Sequence, residues 1–281
     1  MSFNLTLNSS NVVPGSNNTQ FKYNFIGGNF TAQDLEMCVG SITMPYSFFN
    51  VSTFYQNKTL TYEFPTSGAA ISRTLTLNDG FYTVTDINNA LQKDMIDQGY
   101  YLKDSADNYV FYINLSYDTT FYAVRLICYA FPTSLPSGYT NPAGRTFPAT
   151  AKTPQVIIPS TNSLGTILGF TPASYPPAVQ ATNYNIISNT TPVGSTVQSL
   201  IVKCNLAYNP VSMPSDSVDA FPINTTFGSN ITYDPAFEKW VQVRDGVYST
   251  AIVSIVDQNF NQIFAKDPNV AITIFFRKNQ K

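Results

Sequence analysis

Apolar and polar residues alternate singly along most of this chain, and that period of two limits its fold more than any other feature. Phe3, Leu5 and Leu7 alternate with Asn4, Thr6 and Asn8, and Phe21, Tyr23 and Phe25 alternate with Lys22 and Asn24. Leu60, Tyr62 and Phe64 alternate with Thr59, Thr61 and Glu63. Leu200, Val202, Cys204 and Leu206, and later Ile272, Ile274 and Phe276, keep the same period. Successive side chains of a strand point to opposite faces, so each run offers one face to a core and one to water or a neighbour. Half-buried strands of this kind belong to antiparallel sheets.

Two hairpins are expected. The first joins 109–117 to 121–131 across the polar turn Asp118, Thr119 and Thr120; the second joins 248–256 to 270–276 through a longer link with a turn at Asp267, Pro268 and Asn269. Both strands of the first pair are apolar at nearly every position, which predicts cover on both faces. One helix interrupts the pattern. Over 84–98, Val84, Ile87, Leu91 and Met95 recur at spacings of three and four, with Thr83 as N-cap, Asp86 three residues on and Gly99 beyond the end. Its expected role is to close one end of a sandwich.

Residues 132–192 are rich in Pro, Thr, Ser and Gly, and prolines at that density forbid long regular strands. Long loops or a small insertion are expected there, with brief strands near 155–158 and 165–170. The whole predicts an all-β fold: a single antiparallel jelly-roll sandwich with one inserted helix and long Pro-rich loops. The expected organisation is one jelly-roll domain over 1–281, with residues 1–18 as an N-terminal arm and hinge. An immunoglobulin-like sandwich fits less well, because the chain is too long and Trp240 lacks a flanking cysteine pair.

The side-chain inventory speaks against chemistry. With no histidine at all, the chain lacks the commonest general base, every Ser-His or Cys-His nucleophile pair and the usual zinc and iron ligands. Carboxylates are the remaining route, as in a carboxylate-only glycosidase. The nearest pairs, Asp216 with Asp219 and Asp234 with Glu238, read as loop and turn residues. Asp104, Asp107 and Asn108 read as a polar turn because their spacing fits no EF-hand. No catalytic residue, cofactor or metal is expected. Cys38, Cys128 and Cys204 are far apart, odd in number and set in apolar runs, so they read as small buried hydrophobes.

Charged residues make up 11% of the 281 positions, against about a quarter in ordinary domains, and the net charge is −2. A surface of Asn, Thr, Ser, Gln and Tyr hydrogen-bonds well and repels weakly, which suits contact with neighbouring subunits. Scattered Lys and Arg provide no stripe for nucleic acid. The small cluster Arg277, Lys278 and Lys281 reads as a solvated tail. The opening residues carry no leader pattern and no run spans a membrane, so a reducing, cytosol-like compartment is expected. Tyr100, Tyr101, Tyr139 and Tyr175 are candidates for exposed contact residues.

Several segments, taken in order, resemble the penton, or minor capsid, protein of virophages and Polinton-type viruses, with Mavirus-like virophages most similar. They are Leu7 to Asn11, Phe21-x-Tyr23-x-Phe25, the run Met44-Pro45-Tyr46-Ser47-Phe48-Phe49-Asn50-Val51, and Gly80-Phe81-Tyr82-Thr83 before a helix with Asn88, Asn89 and Leu91. Val202-x-Cys204-Asn205-Leu206, Trp240, Val256-Asp257-Gln258-Asn259 and a last apolar strand to Arg277 continue the series. The likeness fades between 132 and 192. It implies a single jelly roll that forms the pentameric vertex capsomer of an icosahedral double-stranded DNA virus or virophage. It further implies a homopentamer seated among double jelly-roll major capsid proteins, located in the virion and assembled in the host cytoplasm. A lectin-like or host-receptor-binding jelly-roll module is the rival reading, and a carboxylate-only glycosidase is a more distant one.

The N-terminal run bears on assembly. An amphipathic strand at a free end either pairs with its own sheet or adds to the edge of a neighbour. Phe3, Leu5 and Leu7 are the expected apolar anchors of an arm at or beside a subunit interface; the alternative is that they complete their own sandwich.

Overall fold

In the computed structural model, which describes residues 2–279, the alternating runs pair as antiparallel strands. The chain packs as two compact units: residues 1–49 with 197–281, and residues 50–196.

The first unit is built on eight strands: β1 (Ser2–Asn8), β2 (Gln20–Asn24), β3 (Leu35–Pro45), β4 (Ser199–Cys204), β5 (Ser217–Pro222), β6 (Asn230–Tyr233), β7 (Thr250–Asp257) and β8 (Ala271–Lys278). One sheet runs in the order β1, β8, β3, with β6 on the far side of β3; the other runs β5, β4, β7, β2. Only β4 and β5 are both consecutive and adjacent. Every other step in sequence crosses to the opposite sheet, which is the connectivity of a jelly roll. The crossing explains why the expected hairpin over 248–276 does not form: β7 pairs with β2 and β4, and β8 pairs with β1 and β3. Residues 50–196 occupy the sequence between β3 and β4.

Registers within this unit follow the alternation. Along β1, Phe3 opposes Phe276, Leu5 opposes Ile274 and Leu7 opposes Ile272. Leu5, Leu7, Ile272, Ile274 and Phe276 are buried together with Met37, Val39 and Ile42 of β3. Between Thr273 and Ile274 the register slips by one, leaving Gly40 as the extra residue of a bulge. A Cβ at Gly40 would lie 2.7 Å from the Phe275 ring, so glycine lets that ring lie flat over the backbone. Arg277 and Lys278 belong to β8 rather than to a solvated tail, and Arg277 ion-pairs with Glu36 at 3.0 Å. Lys281 lies outside the described residues.

The second unit carries α1 (Val84–Gln98). Thr83 and Asp86 form the capping box, and Gly99 takes the left-handed conformation at φ 73°. Arg145, from the Pro-rich segment, donates to the carbonyls of Gln98 and Gly99 and covers the Tyr100 ring, completing the C-terminal end. The helix packs within the second unit, whereas the sequence pattern predicts that it closes one end of a sandwich. Ile87, Leu91 and Met95 belong to the second unit's own core, with Leu60, Tyr62 and Phe64 of the strand Thr59–Phe64.

Around that core stand a four-stranded sheet, Ala173–Tyr175, Gln155–Ile158, Thr59–Phe64 and Ile71–Thr76, and a three-stranded one, Tyr184–Ile187, Ala123–Cys128 and Ile113–Asp118. The 113–118/123–128 hairpin forms as expected, but one face is buried and the other only half-buried, and Phe121 and Tyr122 project from its turn. The segment Gly165–Leu168 is a single helical turn, not a strand. Its ends are steric: a Cβ at Gly165 would meet the Phe170 carbonyl oxygen at 2.6 Å, and one at Gly169 (φ 74°) the Thr190 oxygen at 2.4 Å. Tyr100 and Tyr175 are also core residues, not surface ones, since their rings pack on Phe64 and Phe170.

Candidate assembly surface

Strand registers place one end of the jelly roll in view. The start of β1, the finish of β2, the start of β3, the finish of β4, the start of β7 and the finish of β8 lie at that end, because Ser2 opposes Arg277, Asn24 opposes Thr250, Lys278 opposes Leu35 and Cys204 opposes Val253. The β2–β3, β4–β5 and β6–β7 connections therefore emerge together. Phe30–Ala32 and Gly246–Tyr248 pair as a small ribbon between two of them, and the Arg244 guanidinium lies over the Tyr208 ring at 5.4 Å, joining the third.

An aromatic cluster sits at this end. Phe3 stacks on Phe276 with centroids 4.9 Å apart, Phe30 meets Phe3 edge-on at 5.8 Å, and Phe25 stacks on Phe30 at 4.7 Å. Beside it, Arg277 lies over the Trp240 ring at 3.9 Å while holding Glu36, so its charge is shared between a carboxylate and a ring face. Phe3, Trp240, Phe275 and Arg277 line a recess of about 480 Å³.

The connections at this end carry apolar side chains in the open: Ile26 is 91% exposed, Val211 95% and Met213 92%, with Val247 also exposed. Phe237 (83% exposed) projects from the excursion that splits β6 from its continuation at Val241–Val243 along β3. In sequence these residues sit where period two has stopped, between Gly, Pro and Ser. An apolar residue inside a turn was the signal that pattern reading passes over.

Of the three N-terminal anchors, Leu5 and Leu7 are buried in the chain's own sandwich, and Phe3 alone keeps more than a third of its surface open. β1 ends its sheet, so the far edge of its backbone has no partner strand among the described residues.

The carboxylates are engaged singly. Asp219 is buried and accepts from Tyr233 Oη and Lys239 Nζ, each at 2.7 Å, and Asp216 pairs with Lys203 at 3.2 Å. Asp234 and Glu238 are exposed, and Glu238 accepts from Trp240 Nε1 at 3.2 Å. Asp104 closes a turn by accepting from the backbone of Ala106 and Asn108, while Asp107 pairs with Lys103. Among the described residues, no three His, Cys, Asp or Glu side chains converge as a metal site, and no helix is long and apolar enough to cross a membrane. All three cysteines are free and buried, and burial pushes the Cys38 and Cys204 thiols up to about 11 and that of Cys128 to about 12.

Two solved virophage structures align along nearly the whole chain. The mavirus penton protein covers 99% of this chain and 98% of its own length at 8% identity and a TM-score of 0.44. A chain of the Sputnik virophage, from its 3.5 Å cryo-EM structure, aligns over the same shares at 12% identity and a TM-score of 0.40. No family model and no curated protein sequence matches.

Proposed function

We propose that this chain is a structural capsid protein, a subunit of the pentameric vertex capsomer of a virophage-like particle, the role that the mavirus penton protein's name gives it. The observation that carries the reading is that Ile26, Val211, Met213 and Val247 stand exposed on the three connections at one end of the jelly roll, with Phe3 partly open at the start of β1. Apolar side chains this exposed, gathered on one end of a sandwich, mark a surface that another protein covers. Burying each contributes about 1.5–3 kcal/mol before the cost of ordering is subtracted. The sparse charge supports the same reading, because subunits with few like charges approach one another with little repulsion. The open edge of β1 offers main-chain hydrogen bonds to a neighbouring subunit of the homopentamer or to a double jelly-roll major capsid protein. Of the N-terminal anchors, Phe3, with more than a third of its surface open, is the one expected to take part. The reading is non-catalytic; the absence of histidine and the separate pairing of Asp216 and Asp219 support it.

The mass of the purified protein in solution, by light scattering, tests this. The expected result is a pentamer that falls to monomers in the double variant Val211→Asp/Met213→Asp with an unchanged melting temperature. A monomer at every concentration that also fails to join shells when mixed with the major capsid protein overturns the reading.

A further inference from the structure

The second unit holds a groove of about 680 Å³, a size that suits a small ligand. Its aromatic side are Tyr109, Phe111, Tyr129 and Tyr139; Tyr109 and Phe111 lie nearly parallel, with centroids 6.0 Å apart. Its polar side carries the amides of Gln92, Asn114 and Asn183. Among the described residues, no charged side chain lines it. Lys103, over the outer Tyr109 ring, is tied to Asp107 at 2.9 Å.

These polar groups are not spent within the chain. Gln92 and Asn114 have no side-chain hydrogen bond among the described residues, and Asn183 uses only its Oδ1, which accepts from the Ala130 N–H at 2.9 Å. Tyr112, buried behind the lining, stays a neutral phenol, since burial pushes its hydroxyl up to about 12. Half-buried amides without partners lose water at a cost unless a ligand replaces it. A pyranose answers both sides: its C–H face lies on an aromatic ring, and its hydroxyls both give and accept hydrogen bonds with primary amides. A carboxylated or sulfated sugar finds no cation in the lining.

We propose that this groove binds an uncharged saccharide through the Tyr109–Phe111 platform, Tyr129 and the Gln92 and Asn114 amides. The proposal is independent of the vertex reading, since the groove lies within residues 50–196 and the exposed apolar end belongs to the jelly roll.

Saturation-transfer NMR on the intact protein, with neutral oligomers of glucose, mannose, galactose and N-acetylglucosamine beside sialylated and sulfated counterparts, tests it. The expected result is saturable binding of at least one neutral oligomer, weakened at least about tenfold by Tyr129→Ala and by Asn114→Asp. Tyr129 is exposed and the half-buried Asn114 side chain holds no hydrogen bond among the described residues, so melting temperature and mass in solution are expected to stay unchanged. Binding to none of the neutral oligomers, binding only to the anionic ones, or undiminished binding in both variants overturns the proposal.

Discussion

The rings of Phe3 and Phe276 lie parallel, 4.9 Å apart and within 5° of coplanar orientation, on strands that also oppose these two residues in register. The stack fixes the first residues of the chain to its last strand, and below it Leu5 and Leu7 fill the sandwich. The arm therefore has two parts with different work to do.

Leu7→Ala is expected to destabilise the isolated subunit by about 2–5 kcal/mol, because its site is closed on all sides. Phe3→Ala is expected to lose only the stack and partial burial, about 1–2 kcal/mol. Urea unfolding of both variants checks this; equal losses count against the division of the arm.

Asn50 holds the second unit together at its start. Its Nδ2 donates to the carbonyls of Tyr82 and Gly194 at 2.8 and 2.7 Å, and its Oδ1 accepts from the Tyr82 N–H at 2.8 Å. Asn50→Ala removes the side-chain partner of three main-chain groups, two on half-buried Tyr82 and one on Gly194, and is expected to cost about 1–3 kcal/mol. Asn50→Asp, which keeps the acceptor but not the donor, is expected to fare little better. Thermal melting of the two variants decides.

Hydrogen bonds from the Thr83 side chain and then its backbone hold the Asp86 carboxyl below the usual carboxylate range. A lowered folded value means the contribution is complete above the ordinary carboxylate pKa of about 4 and is lost as pH falls through the lowered value. Thr83→Ala is expected to cost about 1 kcal/mol near neutrality. The gap between it and the parent protein is expected to narrow as pH falls below about 4. Melting curves at a series of acid pH values read this directly, and a constant gap counts against the cap.

Raised thiols give the opposite limb. Burial, the largest cause in each, pushes the Cys38 and Cys204 thiols up to about 11 and the Cys128 thiol up to about 12. Their contribution is complete below the ordinary thiol pKa of about 8.5 and lost as pH rises toward the folded values. Stability is expected to decline from about pH 9 upward, less steeply in Cys128→Ala. At pH 8, iodoacetamide is expected to label the cysteines only after denaturant is added; labelling of the native chain would contradict their burial.

The sequence alone determined what is local. Period two set the strands and the face each one buries, as at Leu5, Leu7, Ile272 and Ile274. Thr83, Asp86 and Gly99 set the limits of α1, because a cap is satisfied by residues three or four positions away. Cys38, Cys128 and Cys204 were legible as core because each sits in phase with an apolar run. Tertiary structure decided which strands meet. β7 and β8 are neighbours in sequence, but in a jelly roll they belong to opposite sheets, and pairing between distant segments leaves no mark in either one. The same holds for the candidate surface. Phe3, Ile26, Val211 and Val247 come from four separate stretches, and only the registers of β1, β2, β4 and β7 bring them to one end. Tyr100 and Tyr175 show the reverse: residues that look suited to the surface are buried because aromatic rings close over them, the distant Phe64 on Tyr100 and the nearby Phe170 on Tyr175. Alternation reports which way a side chain points, while long-range pairing decides what it points at.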